Sequence, residues 1–214
     1  MVVAITGTLL QAAARSSAAH PALPVGPTPP TVRILTQYLP LLLVNWGLTA
    51  YVSRLFRARN ALPALLGPGW RGTGQFLIDV GLAIGAFCFI QAFEALSAHG
   101  LDTGRNAAVS GLLPSTEAER LTWLLVALSV GFCEEVVYRG YLQTQLTAFT
   151  GRASFGIVLQ ALLFGIAHAE QGLASALRIA LYGLSLGALA RFRASLLACI
   201  LCHIAIDLAG ALAR

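Results

Sequence analysis

The stretch LLVALSVGFCEEVVYR, residues 124–139, ends a long apolar run with two adjacent carboxylates, Glu134 and Glu135, and a guanidinium, Arg139. On the membrane-insertion scale a central Asp, Lys or Arg costs about 2.5–3.5 kcal/mol, whereas each Leu, Ile, Phe or Val returns only about 0.3–0.6 kcal/mol. A lipid-facing helix would therefore lose much of its apolar driving force to these groups. Ionisable residues within a bilayer usually face a bundle interior or a watery cavity, where they are candidates for function. The stretch predicts a functional site inside a membrane.

The composition of the whole chain supports this interpretation. Of its 214 residues, 57% are hydrophobic and only 11% are charged, and the mean hydropathy is +0.75. A soluble domain carries roughly 25% charged residues. We therefore expect an all-α protein, a polytopic membrane helix bundle. The long unbroken apolar runs argue against a membrane β-barrel, whose strands alternate apolar and polar residues.

The charges are unevenly spread. All fourteen basic residues are arginine and the net charge is +5. Two connections between apolar runs hold clusters of them: Arg54, Arg57, Arg59 and Arg71 in one, and Arg191 and Arg193 in the other. Clustering of this kind is typical of cytoplasmic loops, which would place both termini on the opposite side. A nucleic-acid-binding protein would need a basic face with stacking aromatics, and we expect no nucleic-acid partner.

Six apolar segments predict about six transmembrane helices, because one span requires about 20 residues. The predicted spans cover residues 34–53, 75–98, 121–146, 154–168, 173–190 and 194–212. Residues 1–30 end in a proline-rich run and predict a weakly ordered tail, so that residues 31–214 form a single membrane-embedded domain. The Gly, Pro and Arg content of residues 60–74 predicts a loop, and Pro40 predicts a kink in the first span.

Two local signals refine this picture. Thr116, followed three residues later by Glu119, predicts a helix N-cap with a capping box at the start of the third span. Gly183 and Gly187 in the fifth span have the GxxxG spacing that allows two helix backbones to approach closely.

The charged residues of the third span predict two different roles, an ion pair and a free carboxylate. Glu135 and Arg139 are four residues apart and share one helix face, so they can form an ion pair. Glu134 lies about 100° around the helix from Glu135 and is left free to act as a general base or acid. The alternative is that the ion pair only locks two helices together.

Two later segments add histidines. His168 ends the fourth span, one turn after Phe164, and His203 shares a helix face with Asp207. A carboxylate beside a histidine can fix its tautomer, or both residues can bind a metal. Each element alone also fits a polar contact between helices.

Together these residues form three motifs in order: Glu134-Glu135-Val-Val-Tyr-Arg139, Phe164-Gly-Ile-Ala-His168 and His203-Ile-Ala-Ile-Asp207. In this the chain resembles the CAAX protease and bacteriocin-processing (CPBP) family of intramembrane proteases, which includes type II CAAX prenyl endopeptidases. The family pattern is EExxxR, then FxxxH, then HxxxN or HxxxD. The resemblance implies that the last four helices, about residues 119–213, form a protease-like core.

The resemblance implies an intramembrane endopeptidase that cleaves a peptide or protein at the membrane. Glu134 would be the general base, and His168 and His203 would position the water or support the developing oxyanion. Glu135 and Arg139 would hold the helix or a substrate carboxylate. Asp207 takes a position that is often Asn in prenyl-processing members. We expect a multi-pass protein in a bacterial plasma membrane, with the lipid bilayer and a peptide or protein substrate as partners.

The resemblance leaves the role of a metal open. Glu134, His168, His203 and Asp207 would make a reasonable zinc-binding set, with a water completing the site. The same residues can activate water without a metal. The sequence supports both mechanisms equally.

Two other functions use the same residues. Buried acids and histidines also form ion pathways, so a transporter or proton relay is one alternative, and a non-catalytic scaffold or immunity protein is another. Arg178, inside the fifth span, has two interpretations as well. It snorkels to the membrane surface, or it meets a substrate carboxylate. The sequence does not indicate an oligomeric state.

Overall fold

The computed structural model describes residues 30–97 and 112–212, and within these ranges the chain forms helices joined by turns, without a β-strand. We number the helices as follows: α1 (Pro30–Ala58), α2 (Leu62–Leu66), α3 (Thr73–Ser97), α4 (Glu117–Thr150), α5 (Ala153–Ile166), α6 (Leu173–Arg193) and α7 (Leu197–Leu212). A short 3₁₀ turn, Ala169–Gln171, joins α5 to α6. The prediction of an all-α protein is confirmed.

Four helices, α1, α3, α4 and α6, are long and apolar enough to cross a membrane, and α4 extends over 34 residues. The other two apolar helices, α5 and α7, have 14 and 16 residues. At 1.5 Å per residue they rise about 21 and 24 Å, less than the ~30 Å of a bilayer core. The helical membrane architecture is thus present, while the number of six spans stays a prediction.

The first part of the chain differs from the predicted boundaries. Residues 1–29 of the predicted tail lie outside the described ranges, and Pro30 already begins α1. Pro40 follows a five-residue π-helical segment, Ile34–Tyr38, within α1. The predicted loop 60–74 contains α2, which tolerates Pro63 because the first helical turn needs no N–H from that residue.

The predicted start of the last span at residue 194 is also wrong, because α7 begins at Leu197. Ala194 has a positive φ of 50° and ends α6 in the left-handed conformation. Leu196 then donates its backbone N–H to the carbonyl of Leu66, at 2.9 Å. This contact anchors the turn between α6 and α7 against the end of α2.

The GxxxG prediction is confirmed by the packing of α6 on α5. A Cβ on Gly183 would lie 3.0 Å from the Cα of Ala161, so the two helices approach more closely there than a larger residue would readily permit. The buried Gln160 amide donates to the Gly183 carbonyl at 2.9 Å, and the Gln143 amide of α4 donates to the Gly187 carbonyl at 3.0 Å. Small residues and amide hydrogen bonds therefore hold α4, α5 and α6 together.

The start of α4 carries the predicted capping box. The Thr116 hydroxyl accepts from the Glu119 N–H, and the Glu119 carboxylate accepts from the Thr116 N–H. Glu119 is fully buried, and it also accepts two hydrogen bonds from Ser115 and pairs with Arg33 of α1 at 3.4 Å. The cap thereby ties α4 to α1.

The two arginine-rich connections lie at the same end of the bundle. Asp79, near the start of α3, accepts hydrogen bonds from Arg193 at the end of α6 and from the indole of Trp70. The Ser195 hydroxyl reaches the carbonyl of Pro68 at 3.3 Å. These contacts agree with the prediction that both connections lie on one side of the membrane, and the identity of that side stays a prediction.

Candidate active site

The predicted site residues come from three separate helical segments and meet in the interior of the bundle. Glu134 and Glu135 end the regular part of α4, and a π-helical segment, Val136–Leu142, begins at the next residue and contains Arg139. π-Helical segments occur frequently at functional sites. The sequence analysis did not predict this one, because residue periodicity does not reveal a single widened turn.

Glu135 is the centre of the polar contacts. It is fully buried, and its Oε1 accepts one hydrogen bond from Arg139 Nη1 and another from His203 Nδ1, each at 2.7 Å. The ion pair predicted from the i, i+4 spacing is therefore present. The contact with His203 was not predicted, and it joins α4 to α7. Glu135 fixes the position of a histidine as well as that of an arginine.

The hydrogen bond to Glu135 also fixes the proton of His203. A carboxylate only accepts hydrogen bonds, so Nδ1 carries a proton and Nε2 is the acceptor in the neutral imidazole. His203 Nε2 lies 3.8 Å from Glu134 Oε2 and 3.9 Å from Asp207 Oδ1. These distances are too long for direct hydrogen bonds, and they suit a bridging water.

Glu134 differs from Glu135 in its contacts. Its side chain is only 5% exposed, and its Oε2 has no hydrogen-bond partner among the residues that the structure describes. Leaving a buried polar atom without a partner is energetically unfavourable. The free oxygen lies 3.8 Å from His203 Nε2, and the role of Glu134 as general base or acid stays a prediction.

Asp207 lies one turn beyond His203 on α7, at the more exposed edge of the cluster. Its side chain is 25% exposed, and its backbone carbonyl accepts a hydrogen bond from the indole of Trp123 at 3.2 Å. Its carboxylate interacts electrostatically with both His203 and His168. The structure thus brings the third motif together with the other two.

His168 lies just outside α5 rather than within the predicted span, since α5 ends at Ile166. Its φ and ψ of −110° and 16° depart from helical values, and Gly172, with a φ of 92°, completes the turn. His168 Nδ1 donates to the Phe164 carbonyl at 2.9 Å, because a carbonyl only accepts. Nε2 of a neutral His168 can therefore hold a water by accepting, and only an imidazolium could donate to an oxyanion.

Phe164 is a shared contact for the cluster. The guanidinium of Arg139 lies 4.4 Å from its ring centroid, a cation–π geometry. The rings of Tyr138, His168 and His203 meet it edge-on at centroid distances of 4.8, 4.9 and 6.0 Å. The sequence analysis quoted Phe164 only as part of a motif. Its position one turn before His168 gave no sign that it also contacts α4 and α7.

The candidate zinc ligands meet around His203, but they do not form a metal-binding group as placed. Across residues 30–97 and 112–212, no group of three or more His, Cys, Asp or Glu side chains is arranged to hold a metal ion. His203 Nδ1 is occupied by Glu135, and His168 Nδ1 by a backbone carbonyl. Zinc binding by Glu134, His168, His203 and Asp207 stays a prediction.

Arg178 is paired across helices. Its Nη1 lies 3.6 Å from Glu94 Oε1 on α3, and its Nη2 donates to the Ser175 hydroxyl at 3.2 Å. The sequence analysis did not predict Glu94 as a partner, because no spacing rule connects residues on two different spans.

Comparison with protein families gives one match. Residues 116–209, which extend from the N-cap of α4 into α7, match the family described as Type II CAAX prenyl endopeptidase Rce1-like. This confirms the resemblance predicted from the three motifs, and it suggests a function of the CAAX protease type. Together with the four apolar helices, it indicates an integral membrane protein. Neither a curated protein nor a solved structure matches the chain.

Proposed function

We propose that the chain is an intramembrane endopeptidase of the CAAX protease type, in which Glu134 activates a water for attack on a peptide carbonyl. The observation that carries this proposal is the free Oε2 of a buried Glu134, 3.8 Å from an imidazole nitrogen that Glu135 holds in place. A positioned carboxylate within reach of the reacting water is what general base catalysis requires.

The reaction follows from these contacts. A water held between Glu134 Oε2 and His203 Nε2 gives a proton to Glu134 while its oxygen attacks the carbonyl carbon. The tetrahedral intermediate then collapses, the C–N bond breaks, and Glu134 passes the proton to the departing amine. Glu134 thus serves first as base and then as acid, and it ends the cycle ionised.

The remaining residues support this step. Glu135 holds His203 by one hydrogen bond at 2.7 Å, and Arg139 holds Glu135 by another at 2.7 Å. His168 contributes its Nε2, either as an acceptor that holds the water or, when protonated, as a donor to the oxyanion. Asp207 Oδ1 lies 3.9 Å from His203 Nε2, and in this proposal it helps to orient the same water.

The substrate that we propose is a peptide or protein segment presented at the membrane. The matching family is named for prenyl endopeptidases, so a farnesylated CAAX-type peptide is the first probe. Purified protein in lipid nanodiscs would be incubated with an internally quenched version of this peptide. We expect cleavage by the unsubstituted chain and by Glu117→Gln, which removes an exposed acid from the same helix. Glu134→Gln should be inactive.

The other outcomes separate the competing functions. Cleavage by Glu134→Gln at the rate of the unsubstituted chain would overturn the assignment of the base. Proton flux into liposomes that depends on Glu134, without cleavage of any peptide, would establish a proton relay. If the protein is folded and shows neither peptide cleavage nor proton flux, this result would support a non-catalytic scaffold.

A further inference from the structure

Arg178 is a charge within an apolar helix that the proposed reaction does not use. Its side chain is only 13% exposed, and α6 is one of the four helices long enough to cross a membrane. Ionisable groups in such helices are rare and commonly mark substrate or ion pathways. Its contacts with Glu94 and Ser175 therefore need an explanation beyond helix packing.

The pair with Glu94 leaves the guanidinium incompletely bound. Its N···O distance of 3.6 Å exceeds the ~2.7–2.9 Å of a charge-assisted hydrogen bond. Arg178 Nε is buried and has no hydrogen-bond partner in the described part of the chain. The Glu94 side chain is 47% exposed, so it can leave without exposing a packed core. At the other end of the same two helices, by contrast, Arg193 and Asp79 are only 2.6 Å apart.

Arg178 lies on the same helix as a residue that contacts the candidate active site. Ile179, the next residue, packs against the cluster of Tyr138, Phe164 and Ala167. Phe164 contacts both histidines. Arg178 therefore lies next in sequence to a residue that contacts the site, while its own guanidinium contacts Glu94 on α3.

We propose that Arg178, together with the Ser175 hydroxyl, is a carboxylate-binding subsite for the substrate, and that Glu94 occupies it as an internal substitute. A guanidinium presents its donors as a planar fork that matches a carboxylate bidentately. A substrate carboxylate displaces Glu94 into its more exposed surroundings and takes up the free Nε–H. This inference rests on the proposed function, since it names a feature of the substrate of that same site.

The carboxylate has two possible sources, the C-terminus of the substrate or an acidic side chain. Three forms of the quenched farnesylated peptide separate them: one with a free C-terminus, one with a C-terminal amide, and an amidated one with an added glutamate. Each is assayed for cleavage by the unsubstituted chain, Arg178→Gln and Glu94→Gln. Arg191→Gln is the control, because it removes an exposed arginine from the same helix.

We expect Arg178→Gln to raise KM by about tenfold to a hundredfold for the peptide whose carboxylate is recognised, since a hydrogen bond to a charged group is lost. The KM of the plain amide and the kcat of all three peptides should stay unchanged. Glu94→Gln should lower the KM of the carboxylate peptide about threefold to tenfold, because the internal competitor is gone. Arg191→Gln should change neither constant.

A binding measurement separates failure of this inference from failure of the proposed function. Fluorescence anisotropy of the same peptides on nanodiscs of Glu134→Gln reports binding without cleavage. If no peptide is cleaved but carboxylate binding is lost on adding Arg178→Gln, the proposed function fails and the subsite stands. If cleavage occurs with equal KM for the free and amidated peptides in the unsubstituted chain and in Glu94→Gln, the subsite is overturned. Glu94→Gln settles the question even if Arg178→Gln does not fold.

Discussion

Two buried carboxylate clusters in this molecule each contain an arginine, and they differ in how completely their carboxylate oxygens are hydrogen-bonded. At the arginine-rich end, Asp79 is 1% exposed, and each of its oxygens has a donor. Oδ1 accepts from Arg193 at 2.6 Å, and Oδ2 accepts from Trp70 at 2.8 Å. In the bundle interior, Glu134 and Glu135 each keep an Oε2 without a hydrogen-bond partner among the described residues.

This difference in hydrogen bonding is the basis for expecting different roles for the two clusters. A buried acceptor without a partner costs about 1–3 kcal/mol, and more when it is charged. Asp79 does not carry this cost, because each of its oxygens has a donor. The cost at Glu134 is consistent with a site at which substrate and water complete the hydrogen bonds. Variants in the two clusters should therefore separate loss of activity from loss of stability.

The largest effect should come from Glu134→Gln, which keeps the size of the side chain and removes its basicity. We expect the rate of peptide cleavage to fall by about 10²–10⁴, the contribution of a positioned general base. The melting temperature in detergent should change little, because no donor depends on Glu134 Oε2. Cleavage and thermal unfolding are measured on the same preparation. A large fall in melting temperature would mean that Glu134 belongs with Asp79 as a structural residue.

The opposite pattern should follow from Asp79→Ala. The change leaves Arg193 and the Trp70 indole without their acceptor, and breaking a buried pair costs about 3–5 kcal/mol. Because the Arg193 side chain is 25% exposed, we expect the lower end, about 3 kcal/mol in the free energy of unfolding. Denaturant titration in mixed micelles measures this loss. The fraction that stays folded should cleave peptide normally, and Asp79→Asn, which keeps one acceptor, should lose less stability.

Glu135→Gln tests a residue that we expect to serve both stability and activity. Glu135 accepts from both Arg139 and His203, so the amide weakens an ion pair and the orientation of a histidine of the candidate site at once. We expect a fall in cleavage rate of about tenfold to a hundredfold together with a stability loss of about 2 kcal/mol. Full activity with reduced stability would remove Glu135 from the site and leave it a purely structural role.

Much of the fold follows from local features of the sequence. Apolar runs predict the helices because each run must satisfy its backbone polar groups internally within lipid. The Thr116 capping box and the close approach at Gly183 also depend on short spacings. The boundaries at Ile166 and Leu197 depend on single backbone angles, at His168 and Ala194 respectively. The turn at Ala194 packs against a distant segment, since Leu196 donates to the carbonyl of Leu66, and short spacings do not encode such a contact.

The contacts of the candidate site also fall into those that short spacings predict and those that they do not. The ion pair between Glu135 and Arg139 follows from a spacing of four on one helix. The hydrogen bond between Glu135 and His203 joins residues 68 positions apart, and no periodicity in one sequence connects them. The pairs that Asp79 and Glu94 form with Arg193 and Arg178 belong to the same class. Motifs predict which residues meet, and the tertiary fold decides which atoms face each other.

The smallest effect should come from Thr116→Ala, which extends the comparison to an uncharged group at the end of α4. The Thr116 hydroxyl accepts from the Glu119 N–H at 3.3 Å, and loss of an N-cap hydroxyl costs about 1 kcal/mol. Glu119 keeps its hydrogen bonds from Ser115, so the cap is weakened rather than lost. The effect is measured as the change in melting temperature of Thr116→Ala, with Thr122→Ala as the control. The Thr122 hydroxyl bonds only the carbonyl one turn before it, a contact that adds little to helix stability.

Cleavage should be unchanged in both threonine variants, since Thr116 precedes Glu134 by a helical rise of about 27 Å. A fall in activity with Thr116→Ala would show that the start of α4 is mechanically coupled to the site. The coupling would run through a helix whose π-helical segment begins at Val136, directly after Glu135. In that case stability at the start of α4 and activity at Glu134 would not be separable, because one helix carries both Glu119 and Glu134.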